Sequence, residues 1–420
     1  MTAEHRSAVG PAAAVPRHGP GAVPVATQAA IIAAGVVAAL HIGKLPPALP
    51  ALREQLGLSL LQAGWLVSVF QIAGAVFALG SGALADRFGH RRMVMLGLAL
   101  LALGDALGAL SPGAGVLLVS RAIESAGMLL AAVSCPALLT RLTPPERLRV
   151  VMGFWGSYVP LGMAIGLVGT PALMLFAGWQ LAWWACALLS LLTWAVLARL
   201  LPAQRQALAS AAAAPRRTAT LLVQTLRSPR PWLLAACFMF YSSQWIGVFS
   251  FLPTLYAQAG LGLGLASALT AAGVLINVAG NIGGGLLHGG GMPRWAMIAT
   301  GACAMMLGAF VAFGTELPFA VRYLAILLFS GIGGMIPSTL FSSAAAYAPG
   351  PQTVSSTVGL MQQGSSLGQV ISPVALAALA QSTGSWQYSW LATGSFGLLC
   401  LSCALLMARL DRGTARERAD

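Results

Sequence analysis

Long apolar stretches recur along this chain, separated by short polar or arginine-bearing breaks. A helix that crosses a bilayer needs about 20 predominantly apolar residues. By that measure the pattern predicts spans near 27–50, 61–84, 93–111, 114–139, 150–176 and 180–200. A polar, Arg-bearing stretch at 201–230 interrupts it, and six further spans follow near 231–257, 264–288, 294–314, 317–342, 354–380 and 387–408. The expected fold is an all-α membrane protein of twelve transmembrane helices. Its organisation reads as a disordered tail (1–26, with Pro11, Pro16, Pro20 and Pro24), a six-helix bundle (27–200), a linker (201–230), a second bundle (231–410) and a short tail (411–420). A cleaved signal peptide competes for the first apolar run, but cleavage would destroy that run's match to the second half.

The two halves repeat one another. Leu49-Pro50, Gly57 and Gly82 recur as Leu252-Pro253, Gly260 and Gly285 at a constant offset of 203. Arg121 and Pro136 recur as Arg322 and Pro337, offset 201; Gly153 and Leu161-Gly162 recur as Gly359 and Leu367-Gly368, offset 206. An even number of spans per unit gives both copies the same orientation. Parallel repeats around a central cavity are one plan of secondary transporters, with the solute site between the halves near the midplane.

Composition excludes the soluble classes. Only 8% of the 420 residues are charged, 58% are apolar, and the mean hydropathy is +0.81. Such a chain cannot cover a soluble core with polar surface. The net charge of +13 is scattered in short groups between apolar runs, which is the orientation signal of a membrane protein rather than a nucleic-acid footprint. With both termini cytoplasmic, 19 of the 23 basic residues fall on the cytoplasmic side; Lys44, Arg53, Arg121 and Arg322 do not. The six cysteines lie in apolar runs and read as packing residues, with no metal or disulfide framework. No Gly-Lys-Ser/Thr loop is present, so nothing points to ATP, and no cofactor or metal is expected.

The loop after the second span reads Gly82-Ala83-Leu84-Ala85-Asp86-Arg87-Phe88-Gly89-His90-Arg91-Arg92. It resembles the loop motif of the major facilitator superfamily, with His90 where the motif carries a basic residue. Gly43-Lys44-Leu45-Pro46-Pro47-Ala48-Leu49-Pro50, Gly280-Asn281 with His288-Gly289, and Gln362-Gln363-Gly364 are similar to the branch that contains cyanate and nitroimidazole permeases. The resemblance implies a monomeric inner-membrane carrier working by alternating access. Within the loop, Gly82, Asp86, Arg87, Gly89, Arg91 and Arg92 are the candidate gating residues. Asp86 at a helix end can accept charge-assisted bonds that form in one conformation and break in the other. The competing reading is a solvated loop that only sets orientation.

Ionisable residues inside a bilayer each cost about 2.5–3.5 kcal/mol on insertion scales and mark function by default. Lys44, just before Pro46, Pro47 and Pro50, is the candidate for contact with an anionic or electron-rich solute, against simple snorkelling. Its repeat partner is Gly247. His41, one turn earlier, is a proton-carrier or hydrogen-bonding candidate, against a satisfied packing histidine. Arg121 and Glu124 share a helix face at i, i+3, with Asp105 at about the depth of Arg121. An Asp105–Arg121–Glu124 cluster could take up the coupling proton; the alternative is structural pairing, with Arg121 capping a helix as Arg322 would. Gln71, Trp155, Tyr158, Tyr241, Gln244, Trp245, Asn277, Asn281, Gln362, Gln363 and Gln369 are candidate pathway residues, against interhelical hydrogen bonding. The expected function is proton-coupled transport of a small anion or small polar organic molecule. The rivals are a proton-driven multidrug efflux antiporter, opposed by the incomplete Gly/Pro motif of span 5, and a membrane-embedded enzyme, which would need a polar catalytic cluster.

Overall fold

The structure is a computed structural model that describes residues 24–201, 214–289 and 291–416, without the side chains of 82–84, 86–87, 145–146, 148–150, 153, 214–218, 288–289 and 413–416. The predicted tail therefore lies outside the described residues up to 23, as do 202–213 of the linker and 417–420 of the second tail. The first half folds as α1 (Val25–Gly43), α2 (Leu45–Leu56), α3 (Leu60–Val69), α4 (Ile72–Phe88), α5 (His90–Ala109), α6 (Ala114–Leu142), α7 (Pro145–Gly156) and α8 (Tyr158–Leu200). Helix α9 (Ala214–Arg227) lies in the stretch read from sequence as a linker. The second half follows as α10 (Pro229–Gln258), α11 (Leu263–Gly289), α12 (Arg294–Phe313), α13 (Phe319–Gly333), α14 (Met335–Tyr347), α15 (Val354–Thr383) and α16 (Ser389–Arg416). The last helix extends past the predicted end of its span at 408.

Every predicted span is helical. Ten segments among the described residues are long and apolar enough to cross a membrane. One of them, the 43-residue α8, reverses at Ala177 and Gly178, where the backbone leaves helical geometry and Gly178 takes φ +69°. A left-handed residue at a chain reversal is tolerated by glycine, which lacks the Cβ that clashes there. Helix α15 is 30 residues long but falls outside the ten, because Ser, Gln and Gly dilute its apolar content.

Local breaks follow from chemistry legible in the sequence. Pro46 and Pro47 lack the N–H groups that would continue the ladder, so α1 ends at Gly43 and α2 begins at Leu45. Between α3 and α4, Ala73 N donates to Ser125 Oγ of α6 at 3.0 Å instead of to its own helix. Pro337 frees a carbonyl at the α13–α14 break near Gly334.

Chain direction alternates, which sorts the helix ends onto two faces. The face carrying both ends of the chain joins α5 to the end of α8 through Arg91 and the Ala198 and Leu201 carbonyls, and α14 to α16 through Tyr347 and Asp411. The opposite face joins Trp179 to Gln55 and Leu61 to Gln381. Here the two halves share one apolar core, in which Leu45, Leu49 and Leu52 pack with Phe251 and Ala377. Gln363 of α15 accepts from Leu79 N at 3.3 Å and donates to Val76 O at 3.4 Å, so α4 and α15 are also bonded across the halves. Five cysteines are buried as packing residues, but Cys303 is exposed, which corrects the reading that made all six alike.

Candidate functional site

Lys44 occupies the junction where the prolines stop α1, and its side chain runs inward to a cluster assembled from three helices. Its ammonium donates to Asp105 Oδ1 of α5 and, at 3.0 Å, to Glu124 Oε1 of α6. Glu124 Oε2 is held by Arg121 Nη1, one turn away. Arg121 also donates to the His41 carbonyl at 3.1 Å and the Leu66 carbonyl at 3.3 Å, which ties α1 and α3 to α6. His41 Nε2 lies 2.8 Å from Asp105 Oδ2 and its Nδ1 lies 2.8 Å from the Val37 carbonyl. His41, Lys44, Asp105 and Glu124 are 0% exposed and Arg121 is 1% exposed.

Two rings complete the site. The Lys44 ammonium sits 4.7 Å from the Trp183 ring centre, and the Arg121 guanidinium 4.2 Å from that of Phe70. Such cation–π contacts contribute about 2 kcal/mol when desolvated. Close approach of α5 to α6 depends on Gly104. A Cβ there would meet Glu124 Cγ at 2.6 Å and the Ser120 carbonyl at 2.9 Å.

A backbone carbonyl can only accept, and so can an ionised carboxylate. Nδ1 of His41 therefore faces an acceptor, and Nε2 faces one whenever Asp105 is ionised. Lys44 and Arg121 are set against the two carboxylates of Asp105 and Glu124, with His41 beside Asp105.

The residues proposed from sequence divide into several groups. Asp105, Arg121 and Glu124 are together, but Asp105 bonds to His41 and Lys44 rather than to Arg121. Lys44, read as a solute contact, and His41, read as a proton-carrier or hydrogen-bonding group, belong to the same cluster; Lys44 does not line either of the cavities at the opposite face. Tyr241, Asn277, Asn281 and Trp245 form a second, uncharged group: Asn277 Nδ2 donates to Tyr241 Oη at 3.1 Å and to the Ser330 carbonyl at 2.9 Å. Asn281 donates to Asn277 Oδ1 at 2.9 Å, and Trp245 Nε1 to Ser330 Oγ at 3.1 Å. Gln244 is fully buried and its Oε1 has no hydrogen-bond partner. Gln369 bonds Ser365, which bonds Ser242.

Others stand apart. Trp155 stacks on Tyr158 with ring centres 4.2 Å apart in the apolar core of the first half. Gln71 spans the α3–α4 break, Gln363 bridges the halves and Gln362 is exposed. Of the loop residues, Gly89 takes φ +90° and Arg91 donates to the last carbonyls of α8. Arg92 is exposed at the start of α5. The Gly82, Asp86 and Arg87 side chains lie outside the described residues. Trp183, Phe70 and Ser330 were not foreseen; an aromatic or serine inside an apolar run gives no signal that distinguishes it from packing.

A family model described as Major Facilitator Superfamily matches residues 31–362. The chain is 26% identical over 366 residues to the cyanate transport protein CynX of Escherichia coli, covering 84% of this chain and 89% of that protein. It is 32% identical over 144 residues to the major facilitator superfamily multidrug transporter mfsC of Aspergillus fumigatus, and 30% identical over 136 residues to an Escherichia coli galactose-proton symporter. Those two matches each span 28% of the relative's length. Among solved structures, a bacterial homologue of the human lysosomal transporter Spinster superposes with a TM-score of 0.77 at 14% identity, over 91% of this chain and 96% of that one.

Proposed function

The chain belongs to the Major Facilitator Superfamily, and on that premise we propose that it is a secondary carrier moving a small anion, or a small polar organic molecule, together with a proton. The observation that carries the proposal is the sealed ion cluster in which both His41 nitrogens face oxygen atoms, and we take an extra proton to be held by the His41–Asp105 pair. Transport proceeds by alternating access between two six-helix halves. Twelve spans follow from ten membrane-length segments when α8 is divided at Gly178 and α15 is counted. The protein works as a monomer in a bacterial inner membrane, with both termini cytoplasmic, in line with the 19 basic residues on that side.

The proton is the switch. With it, His41 bridges the Val37 carbonyl and Asp105, and α1 is latched to α5. Without it, a ring nitrogen lone pair faces a carboxylate oxygen at 2.8 Å, and the latch opens. A proton that binds one arrangement better than the other shifts the equilibrium by that difference in affinity. The loaded cluster's single uncompensated positive charge, in a medium of low dielectric, favours a monovalent anion nearby, so anion and proton cross together without net charge. On the facing half, the Tyr241 hydroxyl, which accepts from Asn277, keeps a neutral donor, and the similarity to the cyanate transport protein agrees with a small anion as solute. Arg91 on the α8 carbonyls, with Asp86 in the same loop, belongs to the gate.

The local match to a multidrug transporter favours a second reading, proton-driven efflux. Proteoliposomes with an internal pH dye separate the two, when challenged with small anions, nitroaromatics and cationic dyes. Proton influx that accompanies an anion and disappears in His41→Asn and Glu124→Gln is the expected result. Proton efflux driven by cationic dyes and indifferent to Lys44→Ala would sink the anion reading and favour the exporter.

A further inference from the structure

Arg121 and Arg322 are equivalent in the sequence repeat, yet the fold treats them differently. Arg121 is saturated by Glu124 and by two carbonyls. Arg322 has Ala325 where Arg121 has Glu124, and its one described hydrogen bond runs from Nε to the Ala312 carbonyl at 2.7 Å. A guanidinium presents five N–H donors in a rigid fork suited to a carboxylate. The rest of the Arg322 fork has no acceptor among the described residues.

That arginine borders a cavity of about 160 Å³ at the opposite face, closed in by the ends of α10, α12 and α13 and by the turn before α16. Tyr256 lines it too. Its side chain is only 8% exposed, and its hydroxyl has no hydrogen-bond partner. Phe313, Phe319 and Trp386 form the walls, with Phe319 edge-on to Tyr256 at 5.2 Å between ring centres. No acidic side chain lines the space. Two donors without a partner among the described residues, one of them cationic, thus border the same largely apolar space, whose other polar lining residues are the neutral Ser385 and Gln387.

We propose that this cavity binds a small planar monocarboxylate, gripped by the free Arg322 donors and the Tyr256 hydroxyl, with its apolar body against Phe319 and Trp386. The ligand supplies the anion that Glu124 supplies to Arg121. The site is separate from the ion cluster and stands whether or not the coupling reading holds. A lipid headgroup at this face could offer the same anionic oxygens, but its tetrahedral phosphate has no planar body for the aromatic walls.

The test is isothermal titration of the full-length protein, held in nanodiscs of zwitterionic lipid, with benzoate and with its neutral analogue benzamide. Saturable benzoate binding is expected, with benzamide about tenfold weaker or more, as loss of a charge-assisted bidentate contact implies. Arg322→Gln and Tyr256→Phe should each weaken benzoate by about tenfold. Ala259→Trp, at the rim, should abolish binding by filling the space without touching either polar group, and size-exclusion profiles certify that each variant is folded. Equal affinity for benzoate and benzamide, or benzoate binding untouched by Arg322→Gln and Ala259→Trp, overturns the proposal. Displacement of benzoate from the unmodified protein by anionic lipid in the disc would assign the site to a headgroup and overturn it as a solute site.

Discussion

Neutralising an acid in the buried cluster should cost far more than removing its lysine, and the difference follows from counting charges. Lys44→Met leaves two matched pairs, His41 with Asp105 and Arg121 with Glu124. The Lys44–Glu124 attraction at 3.0 Å is about 5 kcal/mol gross at an effective dielectric near 20. Most of it is offset because the ammonium no longer has to be desolvated, so a net loss of about 1 kcal/mol is expected. Asp105→Asn instead leaves Lys44, Arg121 and the histidine proton around a single carboxylate. Breaking a buried pair in that way costs about 3–5 kcal/mol, a hundredfold or more in the unfolding constant. The double variant Lys44→Met/Asp105→Asn removes a matched pair and should regain most of that loss while failing to couple protons. The assay is equilibrium unfolding of the purified protein in mixed micelles, read as a double-mutant cycle. Additive losses, or a lysine variant as unstable as the aspartate variant, would refute the charge count and with it the placement of the proton.

Further outcomes are expected from the same geometry. His41→Asn offers one donor nitrogen and one acceptor oxygen in place of two ring nitrogens and cannot carry a proton, so solute flux in proteoliposomes should lose its dependence on an imposed pH gradient while counterflow of labelled solute persists. Gly104→Ala drives a methyl against Glu124 Cγ and the Ser120 carbonyl; a loss of about 1–3 kcal/mol is expected, whereas Gly80→Ala, with open space around it, should be silent in the same unfolding assay. Gln363→Leu removes two bonds between α4 and α15, each contributing about 1 kcal/mol. Thiol labelling of a cysteine introduced at Val76 should then become faster.

The fold was largely legible because bilayer thickness imposes a length that apolar runs declare directly, and all twelve predicted runs became helices. The breaks near Pro46-Pro47 and Pro337 were not predicted, since 27–50 and 317–342 were read as unbroken spans, although the missing N–H is a property of the residue itself. The linker helix α9 escaped because its arginines and alanines carry no membrane-length signal. The buried charges could be found one by one, Lys44 because a lone lysine in an apolar run is conspicuous, Glu124 because it follows Arg121 by one turn. Their grouping could not be read. Lys44 and Asp105 are separated by 61 positions, and periodicity orders residues around one helix but says nothing about which face meets which neighbour. Proline context and repeat pairing singled out Lys44, and depth placed Asp105 beside Arg121; the packing of α1 on α5 and α6 joins all five groups.

The cluster is confined to one half of the chain. Among the described residues, every fully buried Lys, Arg, Asp or Glu belongs to the first half. The repeat partners in the second half are neutral: Gln244 for His41, Gly247 for Lys44, Ala325 for Glu124. Two like-charged clusters facing one another across a narrow interface would repel in a low-dielectric interior, and two proton sites would have to load together before either half could move. Confining ionisation to one copy leaves the other with an uncharged, internally bonded group of Tyr241, Asn277 and Trp245 and lets it share an apolar seam through Phe251 and Ala377. Arg322 completes the contrast: with Ala325 at the position that matches Glu124, it borders a cavity, where on our proposal an anion from outside takes the place that Glu124 holds in the other half.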